Sequence, residues 1–102
     1  MAADRKAKLL EEAERYVLNG KTRSAVSEYL KIAEIDPNDV FVLNTIGDLY
    51  LRLNDNSEAN KFFMRVAQNY AGNNFIQKAI AVYKKILNTD PHNLDVHMTI
   101  AA

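Results

Sequence analysis

Cysteine is absent from this sequence, which excludes a disulfide framework and thiolate metal sites while leaving the redox compartment open. Proline occurs twice and glycine three times, and every one of them falls at an expected turn or a close helix contact. No Gly-rich phosphate loop, nucleophile–base set or pair of buried carboxylates can be found, so no cofactor and no enzymatic chemistry are expected. No run approaches the roughly 18 consecutive apolar residues of a membrane span. Met1-Ala2-Ala3-Asp4-Arg5-Lys6 lacks the apolar core of a signal peptide. Excess charge of either sign is missing too: Lys plus Arg and Asp plus Glu number 13 each, which removes the electrostatic case for nucleic acid or an anionic membrane. No Asn-x-Ser/Thr sequon is present, and a cytoplasmic setting is the default expectation, unless a targeting signal lies outside a fragment.

What is present is ordinary in amount and unusual in order. Hydrophobic residues make up 48% of 102 residues, enough for one domain burying about 65% of its unfolded surface. Ala25-Val26-x-x-Tyr29-x-x-Ile32-x-x-x-Asp36-Pro37 returns as Ala79-Ile80-x-x-Tyr83-x-x-Ile86-x-x-x-Asp90-Pro91. A second phrase, a small residue with Tyr three later, appears at Ala13/Tyr16, Gly47/Tyr50 and Ala67/Tyr70, with Ala25, Ala59 and Ala79 twelve residues beyond each small residue. Such self-similarity marks a helical repeat array, whose units cannot bury their apolar faces alone.

Apolar spacing and turn residues predict helices over about 5–19, 22–35, 39–53, 56–71 and 75–89, with a sixth opening at Asn93 and running out at Ala102. Gly20 suits a left-handed C-cap, Asp36-Pro37 and Asp90-Pro91 stop the second and fifth helices, and Asp39 is an N-cap. Asp55 with Glu58 has the look of a capping box, and Gly72-Asn73-Asn74 breaks the fourth helix from the fifth. The fifth stripe is expected to bury Phe75, Ala79, Ile80, Tyr83, Ile86 and Leu87. Small residues let antiparallel helices approach closely, while Tyr and Phe fill the wedges between pairs.

This pattern resembles the tetratricopeptide repeat, a helix–turn–helix unit of about 34 residues. Matching residues are Leu9, Glu12-Ala13, Tyr16, Gly20, Ala25, Tyr29, Ile32 and Pro37 in the first unit. Leu43, Ile46-Gly47, Tyr50, Ala59, Phe63 and Val66 follow in the second. Phe63, Val66-Ala67, Tyr70, Ala79, Tyr83, Ile86 and Pro91 make a third, and Leu94, Ile100 and Ala101 begin a truncated fourth. The resemblance implies an all-α fold: a right-handed α-solenoid of antiparallel hairpins, about 2.5–3 units in five to six helices. The chain reads as a single domain over 1–102, a piece of a longer array with units 6–39, 40–73 overlapping 60–93, and 94–102.

Two departures stand out. Glu12 sits where a large apolar residue is preferred, which implies a frayed first helix or a missing preceding unit. Small-residue spacing runs 34, then 20, then 34 residues, so the fourth helix serves the second and third units at once. Three routes could absorb this: a change of concave face, an unusual packing of helix four, or one long helix swapped between two chains. Gly-Asn-Asn is poor helix material, which favours a real turn.

For function, the resemblance implies a protein–protein interaction scaffold, not an enzyme, binding a peptide or partner helix in a concave groove. Carried over by position, that groove presents Glu14 with Leu10 and Val17, then Phe41, Asn44, Asp48 and Arg52 with Leu51. Lys61, Arg65 and Gln68, with Met64, join if helix four acts as a first helix. Asn44 can pair with a peptide backbone, and Arg52, Lys61 and Arg65 can hold carboxylates. Each is equally read as a solvated position on a helix face. Lys61 and Arg65 alone match the pattern by which some family members grip a C-terminal carboxylate, and Glu14 would repel one. His92 and His97 are too poorly spaced for a metal, and Lys84-Lys85 reads as a solvated face. Partners are expected to be protein or peptide, with no nucleic acid and no membrane. The alternatives are a self-assembly segment, including a domain-swapped homo-oligomer built on Leu94, Met98 and Ile100, and an accessory domain of a larger enzyme.

Overall fold

Three residues that tolerate a left-handed backbone decide where the helices turn. Gly20, Asn54 and Asn74 hold φ at 73°, 60° and 66°, a region open to glycine and, among other residues, most readily to asparagine. Each is the middle of three residues between helices. The residue after it donates its N–H to a tyrosine carbonyl of the preceding helix: Lys21 to Tyr16 at 2.8 Å, Asp55 to Tyr50 at 2.9 Å and Phe75 to Tyr70 at 2.8 Å. These bonds satisfy carbonyls that a helix end leaves orphaned. The turn between the fourth and fifth helices is thus of the same kind as those after the first and third. Of the three residues expected to break the chain, Gly72 is the last of its helix and Asn74 makes the bend.

The protein, described by a computed structural model over residues 2–93, 96 and 97, is all-α across those residues. Its helices are α1 (Ala2–Leu18), α2 (Thr22–Ile35), α3 (Val40–Arg52), α4 (Asn56–Gly72) and α5 (Ile76–Thr89). Leu94, Met98, Ile100 and Ala101, expected in the sixth helix, lie outside the described residues. Its opening does not: Asn93 Oδ1 accepts from the Val96 N–H at 3.1 Å, as Asp39 Oδ1 accepts from Val42 at 3.2 Å. At α4, Asp55 caps the Glu58 N–H at 3.2 Å, but Glu58 turns to Lys61 at 2.9 Å, so only half of a capping box forms. Helix α1 runs unbroken past an exposed Glu12, without the expected fraying.

Between α2 and α3 the chain turns differently. Asp36, held extended before Pro37, and Asp39 both accept from Lys6 Nζ, at 2.9 and 2.8 Å, which ties α1 to the turn. Bonds to Asp39 and then Asp36 raise the Lys6 pKa above 10.5. Burial pushes Asp39 up, yet the bonds from Lys6 and the Val42 N–H outweigh it and leave the carboxyl below 3.8. The tether therefore stabilises between those values, fading as pH falls through the folded Asp39 pKa or rises through that of Lys6.

Apolar packing divides into two adjoining clusters, and α4 feeds both. Val66 joins Ile32, Leu43 and Ile46 in the first, while Ala59, Phe63 and Ala67 join Tyr83, Ile86 and Val96 in the second. Ala59, twelve beyond Gly47, and Ala67, twelve before Ala79, are the fully buried small residues of α4. Eight positions apart, they point about 80° apart around the helix. Helix α4 thus packs against α3 on one face and as closely against α5 on another, whereas α2 and α3 meet more loosely. With helix axes roughly 9–10 Å apart in each pair, α3 and α5 lie about 12 Å from each other, within reach of long side chains. That is how the odd helix is absorbed: a real turn and a two-faced α4.

Gly47 shows how tight the α3–α4 approach is. A Cβ there would sit 2.5–2.8 Å from three atoms of the Phe63 ring, which is fully buried and has no free space to yield. Phe75 departs from expectation in the other direction. It is 53% exposed, packed edge-on to Tyr70 at 6.3 Å, because its place in the turn puts it outside the α5 stripe. Gly47→Ala is expected to lower stability by about 1–2 kcal/mol in urea unfolding, overpacking outweighing the roughly 1 kcal/mol that Ala gains in a helix. A stabilised variant would contradict the close approach.

Candidate functional site

Helices α1 and α3, held side by side by α2, leave an open cleft of about 340 Å³. Glu14, Val17 and Leu18 come from α1, Thr45, Asp48, Leu49 and Arg52 from α3, and Tyr29 of α2 forms the floor. Glu14 and Asp48 follow Ala13 and Gly47, so the same repeat register that buries the small residues turns both carboxylates toward the cleft. Val17 and Leu18 give it an apolar wall; Leu18 is 86% exposed. Thr45 is already committed, its Oγ1 donating to the Phe41 carbonyl at 2.8 Å.

Charge in the cleft is unevenly compensated. Asp48 accepts from Lys85 Nζ of α5 at 2.7 Å, a bridge across the α3–α5 gap that the two-faced α4 creates. The same ammonium lies 4.3 Å from the centre of the Phe63 ring. Among the described residues Glu14 and Arg52 make no ion pair. Tyr29 is raised above its ordinary 10.0, chiefly by burial and then by the Glu14 charge.

Of the positions expected in the groove, Glu14, Asp48 and Arg52 come together with Val17 in this cleft. Phe41, 65% exposed, and the half-buried Asn44 lie on α3 outside its lining. Lys61, Arg65 and Gln68 are elsewhere. Lys61 pairs with Glu58 and borders a polar hollow with Asn56, Asn60 and Thr89. Arg65 packs 5.3 Å from the Phe62 ring and donates to the Pro37 carbonyl at 3.2 Å, and Gln68 lies beside it near Asn38. The reason is the face α4 uses: packed on α3 as a second helix, it carries Arg65 and Gln68 to the α2–α3 turn and Lys61 to the end of α5, and none of them lines the cleft. Leu10, Leu51 and Met64 are half-buried against the clusters. Leu18 and Thr45 stand one position beyond residues that periodicity picked. Lys85 had no local signal, since its partner is 37 residues away.

Among the described residues no group of three or more His, Cys, Asp or Glu gathers as a metal site, and no helix is long and apolar enough to cross a membrane. His97 Nε2 donates to the Pro91 carbonyl at 2.7 Å, and His92 is exposed.

Residues 42–73, the span of α3, its turn and α4, match the tetratricopeptide repeat family. Among solved structures the chain is similar to the first tetratricopeptide domain of Spaghetti (RPAP3) bound to the HSP90 peptide SRMEEVD. The TM-score is 0.53 at 18% identity, over 97% of this chain and 95% of that one. No curated protein matches the sequence. A tetratricopeptide repeat is therefore present here, in a fold of helical hairpins shared with that domain.

The electrostatic reach of Glu14 is open to a direct check. Glu14→Gln should move the Tyr29 ionisation down toward 10 in an ultraviolet pH titration, with Tyr29→Phe identifying its contribution. An unmoved titration would mean that Glu14 does not face the cleft.

Proposed function

We propose that this tetratricopeptide-repeat chain is a non-enzymatic interaction module that receives a peptide or partner helix in the α1–α3 cleft. One observation carries the reading: an apolar wall, charged side chains and a tyrosine floor converge in a single concavity, at the register that faces inward in both first helices. The neighbouring solved domain was captured with a peptide, which supports a peptide-sized occupant. Recognition here rests on burial of an apolar side chain against Val17, Leu18 and Leu49, with Glu14, Asp48 and Arg52 choosing among charges. Phe41 and Asn44 extend the same face toward the start of α3, and the polar hollows beside Lys61, Arg65 and Gln68 are secondary surfaces. A cytoplasmic setting fits such a module.

A second reading, self-assembly, is favoured by Phe75 and Ile76, which expose 53% and 51% of their surface side by side at the start of α5. A clean monomer in light scattering at high concentration would remove it.

Leu18→Lys combined with Glu14→Lys is expected to abolish capture of natural partners while leaving the melting temperature unchanged, because both side chains are exposed. Partners retained in full by the double variant would place the binding face elsewhere.

A further inference from the structure

Glu14 and Asp48 occupy the same place in successive first helices, and both line the cleft. Against these two carboxylates the chain supplies Arg52, at the end of α3, and Lys85, which reaches Asp48 from α5 at 2.7 Å. Lys85 is no accident of a long side chain. Its stem crosses α4, its ammonium sits over the Phe63 ring, and Phe63 is held by the close approach of Gly47. The bridge is partly open to water, with side-chain exposures of 38% for Lys85 and 46% for Asp48, so it is weak enough to be outcompeted.

Resting on the cleft as the binding site, we propose that its occupant is a segment presenting a lysine or arginine between Glu14 and Asp48 beside an apolar side chain, and that Lys85 is an internal counter-ion moderating that affinity. Glu14 supplies an uncompensated negative charge and the wall of Val17, Leu18 and Leu49 supplies apolar burial. Arg52, at the end of α3, is the one cation of the lining, so a cation placed between the facing helices meets two carboxylates where an anion meets a single guanidinium, which favours a cationic segment. Lys85 pairs with Asp48, one of those two carboxylates, and so weakens the attraction. It does so only because α4 is shared by two hairpins, which brings α5 back toward α3.

The test uses the whole chain and three capped peptides, identical except for one central lysine, glutamate or leucine flanked by leucines, titrated by amide NMR at low salt. The lysine peptide is expected to bind several-fold tighter than the glutamate peptide, with the preference shrinking at 0.3 M salt. Glu14→Gln should reduce that preference. Lys85→Met keeps the stem on Phe63 and should tighten lysine-peptide binding about two- to five-fold, the range of a surface ion pair. Arg52 stands four residues after Asp48 and could replace the lost partner, so Lys85→Met is also measured with Arg52→Gln. A gain in neither background, equal binding of lysine and glutamate peptides, or no binding of any peptide overturns the inference. If the glutamate peptide binds tighter while shifting the amides of Val17, Thr45 and Leu49, the cleft stands and its charge assignment falls. If the lysine peptide shifts only amides elsewhere, the cleft itself is the wrong site.

Discussion

Everything distinctive in this molecule depends on two close approaches made by one helix. Gly47 of α3 leaves room only for the Phe63 ring of α4, and Ala67, about 80° round from Ala59, packs in one buried cluster with Ala79 of α5. Helix packing tolerates such proximity only where side chains are absent or no larger than a methyl group. Phe63, Tyr83 and Tyr29, each sixteen residues after a small residue, then fill the space that the approach leaves. With one face used, α4 would simply close a hairpin and the array would continue in two layers. With two, it becomes the shared member of a pair of hairpins, and α3 and α5 are brought to the same side.

That arrangement links packing to the cleft. The left-handed residue Asn74 gives α5 the same entry geometry that Asn54 gives α4. The resulting α3–α5 proximity lets Lys85 find Asp48, a groove residue 37 positions earlier. Lys6 does a comparable job at the other end, pinning α1 to the Asp36-Pro37 turn and so fixing the first wall relative to the second. Neither ion pair is buried enough to add much stability. Their effect is positional: they set where charges stand around an apolar depression.

Much of this was legible from residues alone. Small residues at Ala13, Gly47 and Ala67 with tyrosine three later located the helices. Their broken 34–20–34 spacing announced that the fourth helix would be shared. Turn residues were read correctly in kind and nearly in place, since the break expected over 72–74 falls at 73–75 with Asn74 as its bend. Glu14, Asp48 and Arg52, picked by periodicity, do line one cleft, because first-helix positions in a repeat face one way. Lys61, Arg65 and Gln68 lie outside that cleft, because sequence matches on α4 fit both a first and a second helix and only packing decides between them. Lys85 was invisible for the same reason that contact order is costly: the pairing exists only once three helices are assembled.

The central claim is that Phe63 touches both neighbours of α4 within one chain. A NOESY spectrum of dilute monomer tests it directly. Cross-peaks from the Phe63 ring to the Gly47 Hα and to the Lys85 side chain, together with a break in helical connectivities at 73–75, are the expected result. Helical connectivities running uninterrupted through Gly72, with no peak between Phe63 and Lys85, would contradict the shared helix and with it the origin of the cleft's charge pattern.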